Sequence, residues 1–269
     1  MKLKLLFTGS QGALGRSIFS SSEFVYLNNM FHIVRWDTKK HGSLTDSDLV
    51  AGSMKSIDPD VVVHLAWLST NTAHYEFEPA NRDWAEATRS LASVTADLGG
   101  WFIGMGSIIE EYPNVASPYR ESKIMARTGI LETTPSATWL RPAWLLNPHV
   151  GRPRLIGDYL RSRRKNEPFT LSNPLTRHDF MHIADFPSAL TLVLTAKLTG
   201  VQDVGMGIAH TVLDALESVD PHAKEHLIME KDENESAPAE YLSNIDRLST
   251  LGWKPTESIR IFGEKILPE

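Results

Sequence analysis

The residues best equipped for chemistry sit near the middle of the chain. In Ser117-Pro118-Tyr119-Arg120-Glu121-Ser122-Lys123 a phenol and an amine stand one helical turn apart, and Ser107 closes the upstream apolar run Trp101-Phe102-Ile103-Gly104-Met105-Gly106. A tyrosine hydroxyl, with an ordinary pKa of about 10, is a poor base at neutral pH. An ammonium beside it favours the phenolate and would lower that pKa. Tyr119 could then exchange a proton with a substrate oxygen, and Ser107 could hydrogen-bond the same atom. This is proton handling at a carbonyl or hydroxyl carbon, and it needs a partner that carries the hydride.

The first stretch of the chain supplies a site for such a partner. Lys4-Leu5-Leu6-Phe7-Thr8-Gly9-Ser10-Gln11-Gly12-Ala13-Leu14-Gly15 is an apolar run leading into Gly-x-x-Gly-x-x-Gly and a plausible helix. Gly9 can take a positive φ where the strand ends. Gly12 lets the backbone approach a phosphate, and Gly15 lets helix and strand pack closely. The N–H groups of the first helical turn then face an anion, assisted by the helix dipole. That is the logic of a dinucleotide site, with Gly9, Gln11, Gly12, Ala13, Leu14 and Gly15 as expected cofactor-binding residues. Asp37 ends a second strand, Phe31 to Asp37. About 20 residues past the glycine loop, a carboxylate can accept both hydroxyls of an adenosine ribose and repel a 2′-phosphate. NAD is therefore expected over NADP, a preference that Lys39 and Lys40 would soften. Hydride transfer would belong to the cofactor. Lys123 would also hold its nicotinamide ribose.

These residues need a scaffold, and the hydrophobic pattern gives one. Ser43-Leu44-Thr45-Asp46 opens a helix, with Ser43 or Thr45 as the expected N-cap. Pro59 to Ala66 is a β-branched run suited to a parallel strand covered on both faces. Residues 80–98 form the next helix, Trp101 to Ser107 the fourth strand, and Thr138 to Leu146 a fifth that leaves the core through Pro142. Strand and helix alternate, which predicts an α/β fold with a doubly wound parallel sheet and a small C-terminal substrate lobe. Residues 1–150 are read as the dinucleotide-binding domain, with 178–200 returning to it. Residues 151–269 are read mainly as the substrate lobe. A helix follows Asp179-Phe180-Met181-His182-Ile183-Ala184-Asp185 and ends near Lys197. Leu251-Gly252-Trp253 is a helix stop.

Composition narrows the partners. The 269 residues carry a net charge of −6 and are 42% hydrophobic, which predicts a sizeable core and no nucleic-acid partner. There is no cysteine, so disulfides, thiolate metal sites and a cysteine nucleophile are excluded. The initial apolar run is too short for a signal peptide and no run has the length of a membrane span; a cytoplasmic protein without a membrane partner is expected. Glu230 to Ser236 reads as an exposed polar loop. His178 and His182 have a spacing that can bind metal on a helix. Their surroundings read as a strand, where they would not converge, so no metal site is expected. His64 reads as a satisfied core residue. The basic cluster from Arg152 to Lys165 is either a solvated helix face or a diphosphate clamp. Trp67 and Trp144 could flank a ligand or fill the core.

Over almost its whole length the chain resembles the extended short-chain dehydrogenase/reductase family, the NAD-dependent epimerase/dehydratase group. Thr8-Gly9-x-x-Gly12-x-x-Gly15 is similar to the family's cofactor loop, Asp37 to its acid, Asp60 to Ala66 to its third strand, and Asn81 to its mid-chain asparagine. Ser107, Tyr119 and Lys123 fall on its catalytic positions, and Arg141-Pro142 on the strand whose end contacts the nicotinamide. The resemblance implies that Leu65, Ala66, Trp67 and Pro142 also bind the cofactor, together with Tyr119 and Lys123. His64-Leu65-Ala66-Trp67, Gly104 to Ser107 and Glu111-Tyr112 look most like the nucleotide-sugar 4-ketoreductase branch. The sequence departs from the pattern in three places, one of them the segment between Ser107 and Tyr119, which is short for an extended member and implies a different substrate loop. His178 stands where many members carry an arginine before the Asp-Phe pair, with Arg177 one position earlier. Ile108-Ile109 stand where dehydratases of the group carry an Asp-Glu pair. The expected activity is NAD(P)-dependent oxidation or reduction at C4 of a nucleotide-linked sugar. The alternatives are an epimerase using the same residues and a non-catalytic dinucleotide sensor. A homodimer through helices 82–98 and 117–131 is implied by the resemblance alone.

Overall fold

The structure is a computed structural model, describing residues 2–68, 75–147, 155–230 and 240–255. Most of the expected loop at 230–236, and Arg152, Pro153 and Arg154 of the basic cluster, lie outside the described residues. The chain runs β1 (Leu3–Thr8), α1 (Ala13–Ser20), α2 (Ser22–Met30), β2 (Phe31–Arg35), α3 (Thr38–His41), α4 (Ser47–Ile57), β3 (Val61–His64), α5 (Asn81–Asp97), β4 (Trp101–Met105), α6 (Pro118–Thr133), β5 (Thr138–Pro142), β6 (Trp144–Leu146), α7 (Leu155–Arg164), β7 (Phe169–Ser172), β8 (Arg177–His182), α8 (Phe186–Ala196), β9 (Gly200–Val204), β10 (Ala209–Thr211), α9 (Val212–Glu217), β11 (Leu227–Glu230) and α10 (Asp246–Thr250).

Six strands form one parallel sheet in the order β2-β1-β3-β4-β5-β9. Alternation along β1 explains its two faces. Leu5 and Phe7 join Val61, Val63 and Ile103 in a core with Ile18, Phe186 and Val193 of α1 and α8. Leu6 joins Val62 and Phe102 in a second core with Met54, Leu91 and Ile130 of α4, α5 and α6. Helices therefore cover both faces, and the expected doubly wound sheet is present. Its order reverses between β1 and β3, so a crevice opens beyond the carboxyl ends of those strands.

A three-stranded sheet, β10-β8-β6, and a parallel pair, β11-β7, form the remaining sheets among the described residues. A third core gathers Leu146, Tyr159, Phe180 and Leu216 around them. The expected fifth strand is in fact two. Pro142 lacks an N–H and ends β5; Ala143 donates to the Val204 carbonyl, and β6 then pairs with β8 instead of the central sheet. The cap of α4 also differs from expectation. Asp46 accepts from Leu49 N–H at 3.1 Å, while the Ser43 and Thr45 hydroxyls bond each other at 2.8 Å. Asp46 is one residue nearer the first turn, where a capping oxygen can reach the third N–H. No helix of the described residues is long and apolar enough to cross a membrane.

Candidate active site

β1 delivers the glycine turn to the crevice. Gly9 sits at φ +66°, and a Cβ there would come 2.5 Å from the Ala66 nitrogen. Gly15 lies under the turn, where a Cβ would meet the Ser10 and Gly9 carbonyl oxygens at 2.5 and 2.6 Å. At Gly12 a Cβ would meet only the Gly9 oxygen, at 3.2 Å, and otherwise open space. That open side is where a pyrophosphate can come close to the backbone, so the turn fits the group that the spacing predicts. Arg16 braces the turn by donating to the Gln11 carbonyl at 2.6 Å. Asp37 follows β2, is exposed and caps α3, with one carboxylate oxygen accepting Lys39 N–H at 2.9 Å.

β3 ends at His64, a buried core residue as expected. Thr88 donates its hydroxyl to the Trp84 carbonyl at 2.7 Å, so it accepts from His64 Nε2, 3.1 Å away. His64 Nδ1 must then accept from the Thr8 hydroxyl at 2.8 Å. Burial, aided by the charge of Lys123, pushes the imidazole down to about 3. This relay ties β1, β3 and α5 together beneath Leu65, Ala66 and Trp67.

β4 and α6 bring the proton-handling groups together. Ser107 caps a short 3₁₀ turn over Ile108–Glu111, and Glu110 accepts the Ser107 N–H at 2.9 Å in a reciprocal capping box. Ser117 caps α6 by accepting Arg120 N–H, with Pro118 in its first turn. Ser107, Tyr119 and Lys123 converge on one cavity of about 290 Å³, lined also by Leu14, Leu65, Trp67 and Pro142. Tyr75 and Met105, which the sequence did not mark, line it too.

Lys123 is 2% exposed. Its Nζ donates to the Met105 carbonyl at 2.7 Å and lies 3.4 Å from the centre of the Trp67 ring. Burial lowers its pKa to about 7, opposed by the charge of Glu110. Tyr119 also departs from expectation. Burial, reinforced by Tyr75, Glu110 and Glu76, raises its pKa well above the ordinary value, with only the Ser107 hydrogen bond pulling the other way. The anticipated acidification by Lys123 does not prevail, because burial of the phenol is the largest influence on it. The phenol is held protonated.

Several charged residues serve the frame. Arg141, expected near the nicotinamide through its strand, turns into a buried cluster with Asp203, at 2.7 Å, and Glu111; Pro142 alone of the pair lines the cavity. Glu110, 3% exposed, receives Trp139 Nε1 at 3.0 Å and pairs with Arg127 at 3.2 Å. Asn81 accepts from Trp67 Nε1 at 2.8 Å and donates to the Tyr75 and Glu78 carbonyls. Asp179 accepts the N–H groups of Met206, Gly207 and Ser243. In the basic cluster, Arg163 pairs with Asp220 at 2.8 Å and Arg161 with Asp158.

A second chamber of about 460 Å³ adjoins the first, sharing Trp144 and Leu145 with it. Ala13 and Arg16 line it from the glycine-turn side, and His178 and Phe180 from β8. His178 lies 3.2 Å from the Tyr112 hydroxyl and stacks near Trp144, and burial pushes it down to about 4. Arg177, on the other face of β8, bonds the Ala209 carbonyl and pairs with Glu240. No group of acidic residues, histidines or cysteines suited to a metal ion occurs among the described residues.

A doubly wound sheet with a glycine turn at its switch point, and a serine, tyrosine and lysine around one cavity, defines a Rossmann-type protein. The chain belongs to the NAD dependent epimerase/dehydratase family, whose profile it matches over residues 5–207. Its fold is shared by Bordetella bronchiseptica WbmG in complex with NAD, with a TM-score of 0.79, 18% identity, and coverage of 98% of this chain and 93% of that one. It is similarly shared by Thermus thermophilus UDP-glucose 4-epimerase in complex with NAD, with a TM-score of 0.76, 19% identity and coverage of 98% and 99%. A third likeness is Pseudomonas aeruginosa RMD complexed with NADPH, with a TM-score of 0.77, 19% identity and coverage of 98% of each chain. A sequence search of curated proteins gave no significant match.

Proposed function

We propose that the chain is an NAD(P)-dependent oxidoreductase that reduces a keto group at C4 of a nucleotide-linked sugar. The convergence of Ser107, Tyr119 and Lys123 on one cavity beside the glycine turn carries this reading. The cofactor, when bound, supplies the hydride. Tyr119 supplies the proton to the substrate oxygen and Ser107 hydrogen-bonds that oxygen. Lys123 holds a ribose hydroxyl and contributes positive charge. Gly9, Gln11, Gly12, Ala13, Leu14 and Gly15 cradle the pyrophosphate, and Asp37 takes the adenosine ribose, favouring NAD.

A phenol kept neutral by burial can give its proton to the substrate oxygen as the ketone is reduced, which agrees with the proposed role of Tyr119. Dehydration is disfavoured, since Glu110 and Glu111 are both committed to arginines and neither replaces the missing Asp-Glu pair. The second chamber has the place and volume for the remainder of the substrate. A nucleotide sugar suits the family, and among the similar folds WbmG is in complex with NAD and UDP, and a Thermotoga maritima epimerase with UDP-glucose.

The test is turnover of NADH with nucleotide-linked 4-keto sugars. A reductase consumes NADH in proportion to substrate. An epimerase turns over with no net change at the NADH band, which would replace this reading. Tyr119→Phe should lower kcat by about 10²–10⁴ with NADH affinity kept. Equal turnover in the two proteins would remove Tyr119 as the proton donor, and NADH binding with no turnover in wild type would leave the sensor reading.

A further inference from the structure

The Lys123 side chain is set between two surfaces. One is the Met105 carbonyl at the end of β4, 2.7 Å from Nζ. The other is the indole of Trp67, whose ring centre is 3.4 Å from the same nitrogen. The Tyr119 ring is 5.5 Å from it. An aromatic face carries negative quadrupole charge, and its attraction for an ammonium grows as water is excluded. Lys123 is almost fully buried, so the indole faces it with little competition from solvent.

The indole is itself fixed. Its Nε1 donates to Asn81 at 2.8 Å. The Asn81 amide is spent on the Tyr75 and Glu78 carbonyls, at 2.7 and 2.9 Å. Asn81 thereby ties the ring to the turn that carries Tyr75, and the Tyr75 ring meets Tyr119 edge-on at 5.3 Å. Trp67 also meets Tyr119 edge-on, at 6.3 Å.

We propose that Trp67 is a positioning residue for Lys123: its indole face, locked by Asn81, holds the lysine head in its charged form beside Tyr119. Trp67 then serves the cofactor through Lys123, a different role from the direct cofactor contact that the resemblance implies. This rests on the assignment of Lys123 to the nicotinamide ribose only for its consequence in catalysis; the holding of the charge is independent of it. The charged and titratable groups facing Lys123 are Glu110 from the 3₁₀ turn, His64 from β3, Tyr119 from its own helix, and Tyr75 and Glu76 from the turn before α5. Glu110 favours the ammonium and His64 is neutral. Burial opposes the charge, and the indole offsets part of that opposition.

The experiment follows the titration of Lys123 by NMR in the full chain with ¹³Cε-labelled lysine. Lys123→Met identifies the signal, and wild type, Trp67→Phe and Trp67→Leu are compared. Loss of the aromatic face should let the lysine lose its proton about one pH unit lower in Trp67→Leu, a tenfold change in proton affinity. Trp67→Phe keeps a face and should restore most of it. The pH dependence of NADH binding should move in parallel, affinity falling from its alkaline side at a correspondingly lower pH. An unchanged Lys123 titration in a folded Trp67→Leu protein, or equal losses in the Phe and Leu variants, overturns the proposal. If NADH fails to bind wild type, the cofactor assignment fails, while the titration still decides the role of Trp67. Should Trp67→Leu not fold, Asn81→Ala removes the acceptor that fixes the indole and should move the Lys123 titration downward as well; an unchanged titration in a folded Asn81→Ala protein also counts against the proposal.

Discussion

At the scale of single residues, the site is governed by desolvation more than by the charges the sequence advertises. Spacing shows that Tyr119 and Lys123 share a helix face, but not that Lys123 is drawn inward to Met105 and Trp67. Tyr119 is thus an acid in this setting. His64 gives a clear pH consequence. Its folded pKa, about 3, lies below the ordinary value of 6.5. The unfolded chain takes up a proton below 6.5 that the folded chain refuses, so stability is full above that pH and falls as pH drops. Urea unfolding should lose about 2–3 kcal/mol between pH 7 and 4.5 from this group. His64→Gln should flatten the slope, and an equally steep one would assign it elsewhere; His178, pushed down to about 4, contributes in the same direction. Asp37→Ser should raise NADPH affinity relative to NADH by about tenfold, measured by titration of each cofactor.

At the scale of elements, two of the three loop glycines make opposite predictions. Gly12→Ala adds a methyl that meets only the Gly9 carbonyl oxygen, at 3.2 Å, so the melting temperature should fall by no more than about 3 °C while NADH binding weakens at least tenfold. Gly15→Ala drives a methyl into two backbone carbonyls, so the fold itself should suffer, with a melting temperature lower by about 5 °C or more. Thermal unfolding with and without NADH separates the two effects. β1, the glycine turn, β3 and β4 were legible in the sequence because a β-branched or apolar run between helices admits few alternatives. The break at Ala143 was not, since Pro142 marks an end without saying which sheet receives the next strand. Ser107-Ile108-Ile109-Glu110 did carry a readable signal, the Ser-x-x-Glu of a capping box, and it explains why Glu110 supports the site from within the frame.

At the scale of the whole molecule, distant segments meet on single side chains. Such meetings are invisible to local periodicity; Asp179 shows why. Its carboxylate accepts N–H groups from Met206, Gly207 and Ser243, joining β8, the turn after β9 and the segment before α10. Asp179→Ala should cost about 3 kcal/mol or more, because three N–H groups lose a buried acceptor. Faster hydrogen exchange at those three positions, with slow exchange kept in β1 and β3, would mark the loss as local. Trp253 adds another tie, donating to Ser188 at 3.0 Å and so fastening the chain after α10 to α8.

Trp144 and Leu145 stand in the common wall of the two chambers. Whatever fills either room changes the surroundings of one indole. Its emission should therefore respond twice, once to the dinucleotide and once to the sugar-bearing ligand, and the difference between wild type and Trp144→Phe would read out the order in which the two are taken up.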